Sequence, residues 1–189
     1  EVSLAYGNEA DLVALVGSDN QQFMIASGEQ LLLSRAQGLP VISVREWYKD
    51  YPVGVASLKT IQISQATDLR GKVIGLPGLY GANYIGFEAL AAHAGLTDAD
   101  YELRSIGFTQ VEALVTGQVD AVVVYLANEP VQLRARGYEI DVLRVADALS
   151  LVGNCLVTNE KSVSDRSELV QGMVSAMQEA LAVTAADPD

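Results

Sequence analysis

Cysteine and histidine are almost missing from this chain: Cys155 and His93 each stand alone among 189 residues. A disulfide framework, a Cys/His zinc site and a Cys-His catalytic pair therefore lack raw material. Basic residues are scarce as well, with 12 Lys plus Arg against 24 Asp plus Glu and a formal net charge of -12. Such a field repels phosphate backbones and acidic membrane surfaces, which argues against nucleic acid as a partner. No apolar run reaches the ~18 residues that a membrane-spanning helix requires. The first residue is Glu1 rather than Met, so the chain reads as processed or trimmed. What is abundant is apolar bulk. A 50% hydrophobic content with 19% charged residues suits a globular chain holding one large core or two modest ones.

Short apolar runs alternate with helix-length segments. Strands are expected at residues 2–6, 22–26, 41–44, 53–57, 72–76, 102–106, 119–125, 141–145 and 151–158. Helices are expected from about 9, at 29–37, 82–94 and 109–116, after the strand that ends at Tyr125 as far as Arg136, and from Ser167 onward. This alternation predicts an α/β fold with mixed, mostly parallel sheets flanked by helices. The chain also matches itself. When residues 100–138 are slid back by 99 positions, Leu103 falls on Leu4, Ala113-Leu114-Val115 on Ala14-Leu15-Val16, Arg134-Ala135 on Arg35-Ala36 and Gly137 on Gly38. Strand, helix, strand, helix and closing glycine coincide in both copies, so two similar lobes are expected.

In open α/β sheets, ligands bind beyond the carboxyl ends of the strands, where the following helices present their N-termini. In the first copy that edge is Ser27-Gly28-Glu29-Gln30, and in the second Leu126-Ala127-Asn128-Glu129. Either glutamate alone suits a helix dipole and needs no ligand. Both at a cleft edge would disfavour an anionic ligand. G-K-V-I-G-L-P-G-L-Y-G-A-N-Y, residues 71–84, is a strand and glycine-rich turn into a helix, without P-loop spacing or a Lys-Ser/Thr pair. Its glycines could merely permit the turn, but Tyr80, Asn83 and Tyr84 make a better pocket wall than a turn. E-W-Y-K-D-Y, residues 46–51, gathers the only Trp with two Tyr among charges, a wet loop on which a flat ligand could stack.

D-L-R-G-K-V-I-G-L-P-G-L-Y-G (68–81), G-F-T-Q-V-E-A-L-V-T-G-Q-V-D-A-V (107–122) and N-E-P (128–130) resemble the type II periplasmic binding proteins. More narrowly, they resemble the ABC-transporter substrate-binding proteins for thiamine-pyrimidine precursors and riboflavin, with the alkanesulfonate-binding proteins further off. The resemblance implies two α/β lobes joined by crossover strands and closing on a ligand: residues 1–60 plus 150–189 as the first, 61–149 as the second. It also implies truncation at both ends, because family members begin with a further strand and helix and end with more helix.

Carried over from the family, the ligand contacts are Ser27 and Glu29 in the first lobe, and Tyr80, Asn83, Tyr84, Tyr125, Asn128 and Glu129 in the second. Trp47, Tyr48 and Asn154 join them by position along the cleft. The expected function is that of an extracytoplasmic binding protein, in the periplasm or at the cell surface with or without a lipid anchor. It would bind a flat neutral heterocycle, riboflavin ahead of a thiamine-type pyrimidine, and deliver it to a membrane permease, with no cofactor, metal or catalytic residue. The competing class is an enzyme, since eukaryotic relatives of this branch make the thiamine pyrimidine with a cysteine-rich iron-binding motif and an active-site histidine and lysine. One Cys and one His speak against it. A ligand-sensing domain of a regulator is the third reading.

Overall fold

Short runs flanked by turn residues, most of them apolar, become the eight strands of the computed structural model, which describes residues 2–187. The chain divides into two units. The first runs up to Lys49 and resumes at Gly153, and the second is the continuous stretch Asp50–Val152. The sequence puts the boundaries near 60 and 150. The difference lies in one strand, residues 53–58, which hydrogen-bonds within the second unit's sheet.

In the first unit, α1 (Glu9–Gly17) starts where the Asn8 side chain accepts the Ala10 N–H at 2.9 Å, satisfying one of the unpaired donors of a helix start. There follow β1 (Met24–Ala26), α2 (Gly28–Ala36) and β2 (Val41–Glu46), and the chain returns later as β8 (Cys155–Asn159), α7 (Glu160–Asp165) and α8 (Ser167–Ala186). Its sheet has the order β1-β8-β2, and β8 is antiparallel to both neighbours. Val13, Val16, Met24, Ala26, Val41 and Val157 form its core with Cys155.

The second unit contains β3 (Val53–Leu58), β4 (Val73–Leu76), α3 (Gly81–His93), β5 (Glu102–Ser105), α4 (Gln110–Val115), β6 (Ala121–Tyr125), α5 (Glu129–Ala135), β7 (Ile140–Arg144) and the short α6 (Val145–Ala148). The sheet order is β5-β4-β6-β3-β7, with β4 parallel to β5 and β6, and β3 antiparallel to β6 and β7. One face packs α3 through Phe87, Leu90 and Ala91, and the other packs α4 and α5 through Val111, Leu114 and Leu133.

Two expectations need correction. Residues 2–6 form no strand; Leu4 and Tyr6 are 78% and 93% exposed, and no described strand pairs with this segment. The second unit's sheet is mixed, as expected, but the first unit's is antiparallel throughout, and most neighbouring pairings are antiparallel rather than parallel. The reason is that in each sheet a single reversed strand, β8 or β3, lies between two strands that run the other way. Both are buried almost throughout, and a doubly buried run carries no record of its direction.

The 99-residue offset holds beyond the stretch in which the sequence suggested it. It places α1 on α4, β1 on β6, α2 on α5 and β2 on β7, and Gly38 and Gly137 close their helices with φ of 86° and 83°. The order β1-β8-β2 in one unit is matched by β6-β3-β7 in the other.

Candidate ligand-binding site

In the first unit, β1 delivers Ser27 to the N-cap position of α2. Ser27 is fully buried, yet its hydroxyl makes no cap bond and has no hydrogen-bond partner. Its N–H instead donates to the Glu9 carboxylate. Glu29, half-buried, follows in the first turn of the helix. Across the ladder from Ala26 lies Cys155. Burial pushes its thiol pKa up, a hydrogen bond with Ser43 pulls it down, and the negative charges of Glu9, Glu29 and Glu46 push it further up. This end of the sheet is therefore a negative environment around a protonated thiol.

Beyond β2 the chain turns through Trp47 and Tyr48, whose N–H groups both donate to the backbone carbonyl of Asn154, at 2.9 and 3.3 Å. One carbonyl thus ties the aromatic loop to the entrance of β8. The two rings stack at 5.1 Å with planes 21° apart, and Trp47 remains 40% exposed. A stacked pair held by its own backbone offers a preformed flat surface.

In the second unit, β4 runs through Pro77 and Gly78 to Tyr80, which occupies the N-cap position of α3 without a side-chain cap bond. Its ring folds back over Gly78, where any Cβ would collide with it, and is 59% exposed. Gly81 then takes φ 69°, the left-handed conformation that favours glycine. Asn83 is buried with its Oδ1 lacking a partner, and Tyr84 packs half-buried against the core. At the end of β6 stands Tyr125, half-buried, followed by the exposed Asn128.

Glu129 is mostly occupied with its own turn. It is 8% exposed, its Oε2 accepts the Tyr125 N–H at 2.9 Å, and its Oε1 accepts from the Asn128 side-chain amide at 3.0 Å. Asn128 Oδ1 in turn accepts from Gln132 at 2.8 Å. The sequence suggested a carboxylate open to ligand; the geometry gives one that fixes the conformation between β6 and α5 and orients Asn128.

Of the expected site residues, Ser27, Glu29, Trp47, Tyr48 and Asn154 belong to the first unit, and Tyr80, Asn83, Tyr84, Tyr125, Asn128 and Glu129 to the second. Sequence reasoning missed Glu9. As an acidic residue in a first helical turn it suits a helix dipole, and nothing local marks its bond to Ser27, 18 residues away. Among the described residues no group of three His, Cys, Asp or Glu side chains is placed to hold a metal ion.

A sheet in each unit with one reversed strand and flanking helices is the fold of the type II periplasmic binding proteins. The periplasmic aliphatic sulphonate binding protein SsuA of Escherichia coli superposes with a TM-score of 0.78 at 15% identity, over 95% of this chain and 62% of that one. Residues 1–189 match the family described as NMT1/THI5 like, and the chain belongs to that family. The riboflavin-binding protein RibY of Chloroflexus aurantiacus is 35% identical over 192 residues, covering 100% of this chain and 55% of that protein. The 4-amino-5-hydroxymethyl-2-methylpyrimidine phosphate synthase of Legionella pneumophila is 26% identical over 185 residues, covering 95% and 58%. The chain thus spans between half and two thirds of the length of these relatives.

Proposed function

We propose that this chain is part of the substrate-binding component of an ABC importer, acting outside the cytoplasm, with a flat neutral heterocycle as cargo, riboflavin first. It binds and delivers its ligand to a membrane permease without transforming it. The observation that carries this reading is the exposed, stacked Trp47–Tyr48 pair beside an acidic strand end, in a chain 35% identical along its whole length to a riboflavin-binding protein. A large ring system stacks on such a pair, and carboxylates disfavour sulfonates and phosphates. The second unit has candidate contacts of its own in the exposed ring of Tyr80 and the buried, unpartnered Oδ1 of Asn83. Micromolar binding corresponds to roughly 8 kcal/mol, within reach of one buried ring and a few satisfied hydrogen bonds.

A thiamine-type pyrimidine is the second cargo, supported by the pyrimidine phosphate synthase among the relatives. A synthase activity has less support in these residues: the only cysteine is buried in β8 and the only histidine ends α3. The deciding experiment is a visible spectrum and a thermal-shift series on the full-length protein. Flavin absorption bands, or a rise in Tm with riboflavin, support the first cargo. A rise with aminopyrimidines alone moves the assignment to the second, and no response to either sinks both.

A further inference from the structure

We infer that Glu9 determines specificity: its carboxylate holds the anion position at the amino end of α2, so this end of the first unit selects a ligand edge bearing N–H donors and refuses sulfonates and phosphates. This rests on the binding function proposed above and narrows its ligand class. The amino end of α2, a nine-residue helix, carries partial positive charge and would suit an anion. Serine at the N-cap ordinarily supplies the internal acceptor, yet Ser27 makes no cap bond. Instead its N–H is taken by the Glu9 carboxylate, which reaches in from α1.

The second observation is the Ser27 hydroxyl itself. It is completely buried at the mouth of this helix and has no partner, a condition that costs free energy until a ligand or water satisfies it. Glu9 is only half-buried, so its carboxylate retains accepting capacity for an incoming group. An arriving anion would meet this charge and that of Glu29 on the adjoining turn. A ring imide, ring N–H or exocyclic amine meets an acceptor instead, with a hydroxyl beside it that can donate or accept.

The test measures riboflavin and methanesulfonate binding calorimetrically in the full-length protein and its Glu9→Gln and Glu9→Asp variants, with Tm reporting folding. Gln keeps an amide oxygen for the Ser27 N–H while removing the charge, and Asp keeps the charge but shortens the reach. Glu9→Gln is expected to lose about tenfold or more in riboflavin affinity and to acquire methanesulfonate binding that the unaltered protein lacks. Glu9→Asp is expected to bind riboflavin more weakly and still refuse methanesulfonate. A folded Glu9→Gln with unchanged riboflavin affinity and no methanesulfonate binding overturns the inference, as does methanesulfonate binding by the unaltered protein. If Glu9→Gln does not fold, Glu9→Asp decides, and riboflavin affinity equal to that of the unaltered protein overturns the inference. If the unaltered protein binds no riboflavin, the proposed cargo falls, and the methanesulfonate result in Glu9→Gln alone decides the role of Glu9.

Discussion

Asp19 shows how much one side chain can organise away from any ligand. It takes φ 62°, pairs with Arg166 and, at 3.1 Å, with Lys161, and accepts from Asn159. These partners, Arg166 first, lower its pKa to about 2 from an ordinary 3.8. A carboxyl with a depressed folded-state pKa contributes stability that is full above its unfolded value and disappears as pH falls through the folded value. Asp19→Asn is therefore expected to melt lower than the unaltered protein at neutral pH. The gap in Tm should narrow between about pH 4 and pH 2; a gap constant down to pH 2 would assign the effect to backbone conformation. For the ligand, Trp47→Ala is expected to weaken flavin binding at least roughly threefold, read by fluorescence quenching, while Tm without ligand stays unchanged because the ring is partly exposed.

At the scale of elements, α3 depends on two close fits. Phe87 is fully buried and meets Tyr101 edge-on at 4.9 Å, so Phe87→Ala is expected to cost about 3–5 kcal/mol in urea unfolding. Gly86 lies where a Cβ would come within 2.6 Å of Tyr51, a fully buried ring whose hydroxyl donates to the Ala82 carbonyl at 2.8 Å. Gly86→Ala is expected to cost about 1–3 kcal/mol through overpacking, although alanine favours helices; a stabilised variant would show that Tyr51 can yield.

Which elements exist was largely readable in the sequence, because helices such as 81–93 and buried runs such as 121–125 show in apolar pattern and length. Direction and pairing were not, since β3 and β8 look like any buried strand. Residues 2–6 have strand-like composition but no described partner, and composition cannot supply one. At the candidate site, the glycine-rich entrance to α3 and the aromatic loop announced themselves by local clustering. Glu9 and the inward engagement of Glu129 did not. One depends on a contact across 18 residues, and the other on a turn conformation in which Asn128 takes φ -122° and ψ -89°.

At the scale of the molecule, the two units differ in what holds them. The second has buried clusters on both faces of its five-stranded sheet, whereas the first relies on one small cluster around three strands. Hydrogen exchange is expected to be faster in β1 and β2 than in β3 and β6 without ligand. Equal protection would mean that the smaller core is not the weaker one.

The reversed strands also bear on how the chain comes to be folded. Every described strand of the second unit's sheet lies in one uninterrupted segment, whereas the described strand neighbour of β1 and β2 is Cys155–Asn159, which arrives more than a hundred residues later. During synthesis, the second unit can settle first while β1 and β2 wait with open edges. A pause before β8 emerges would be the interval in which a chaperone has most to shield.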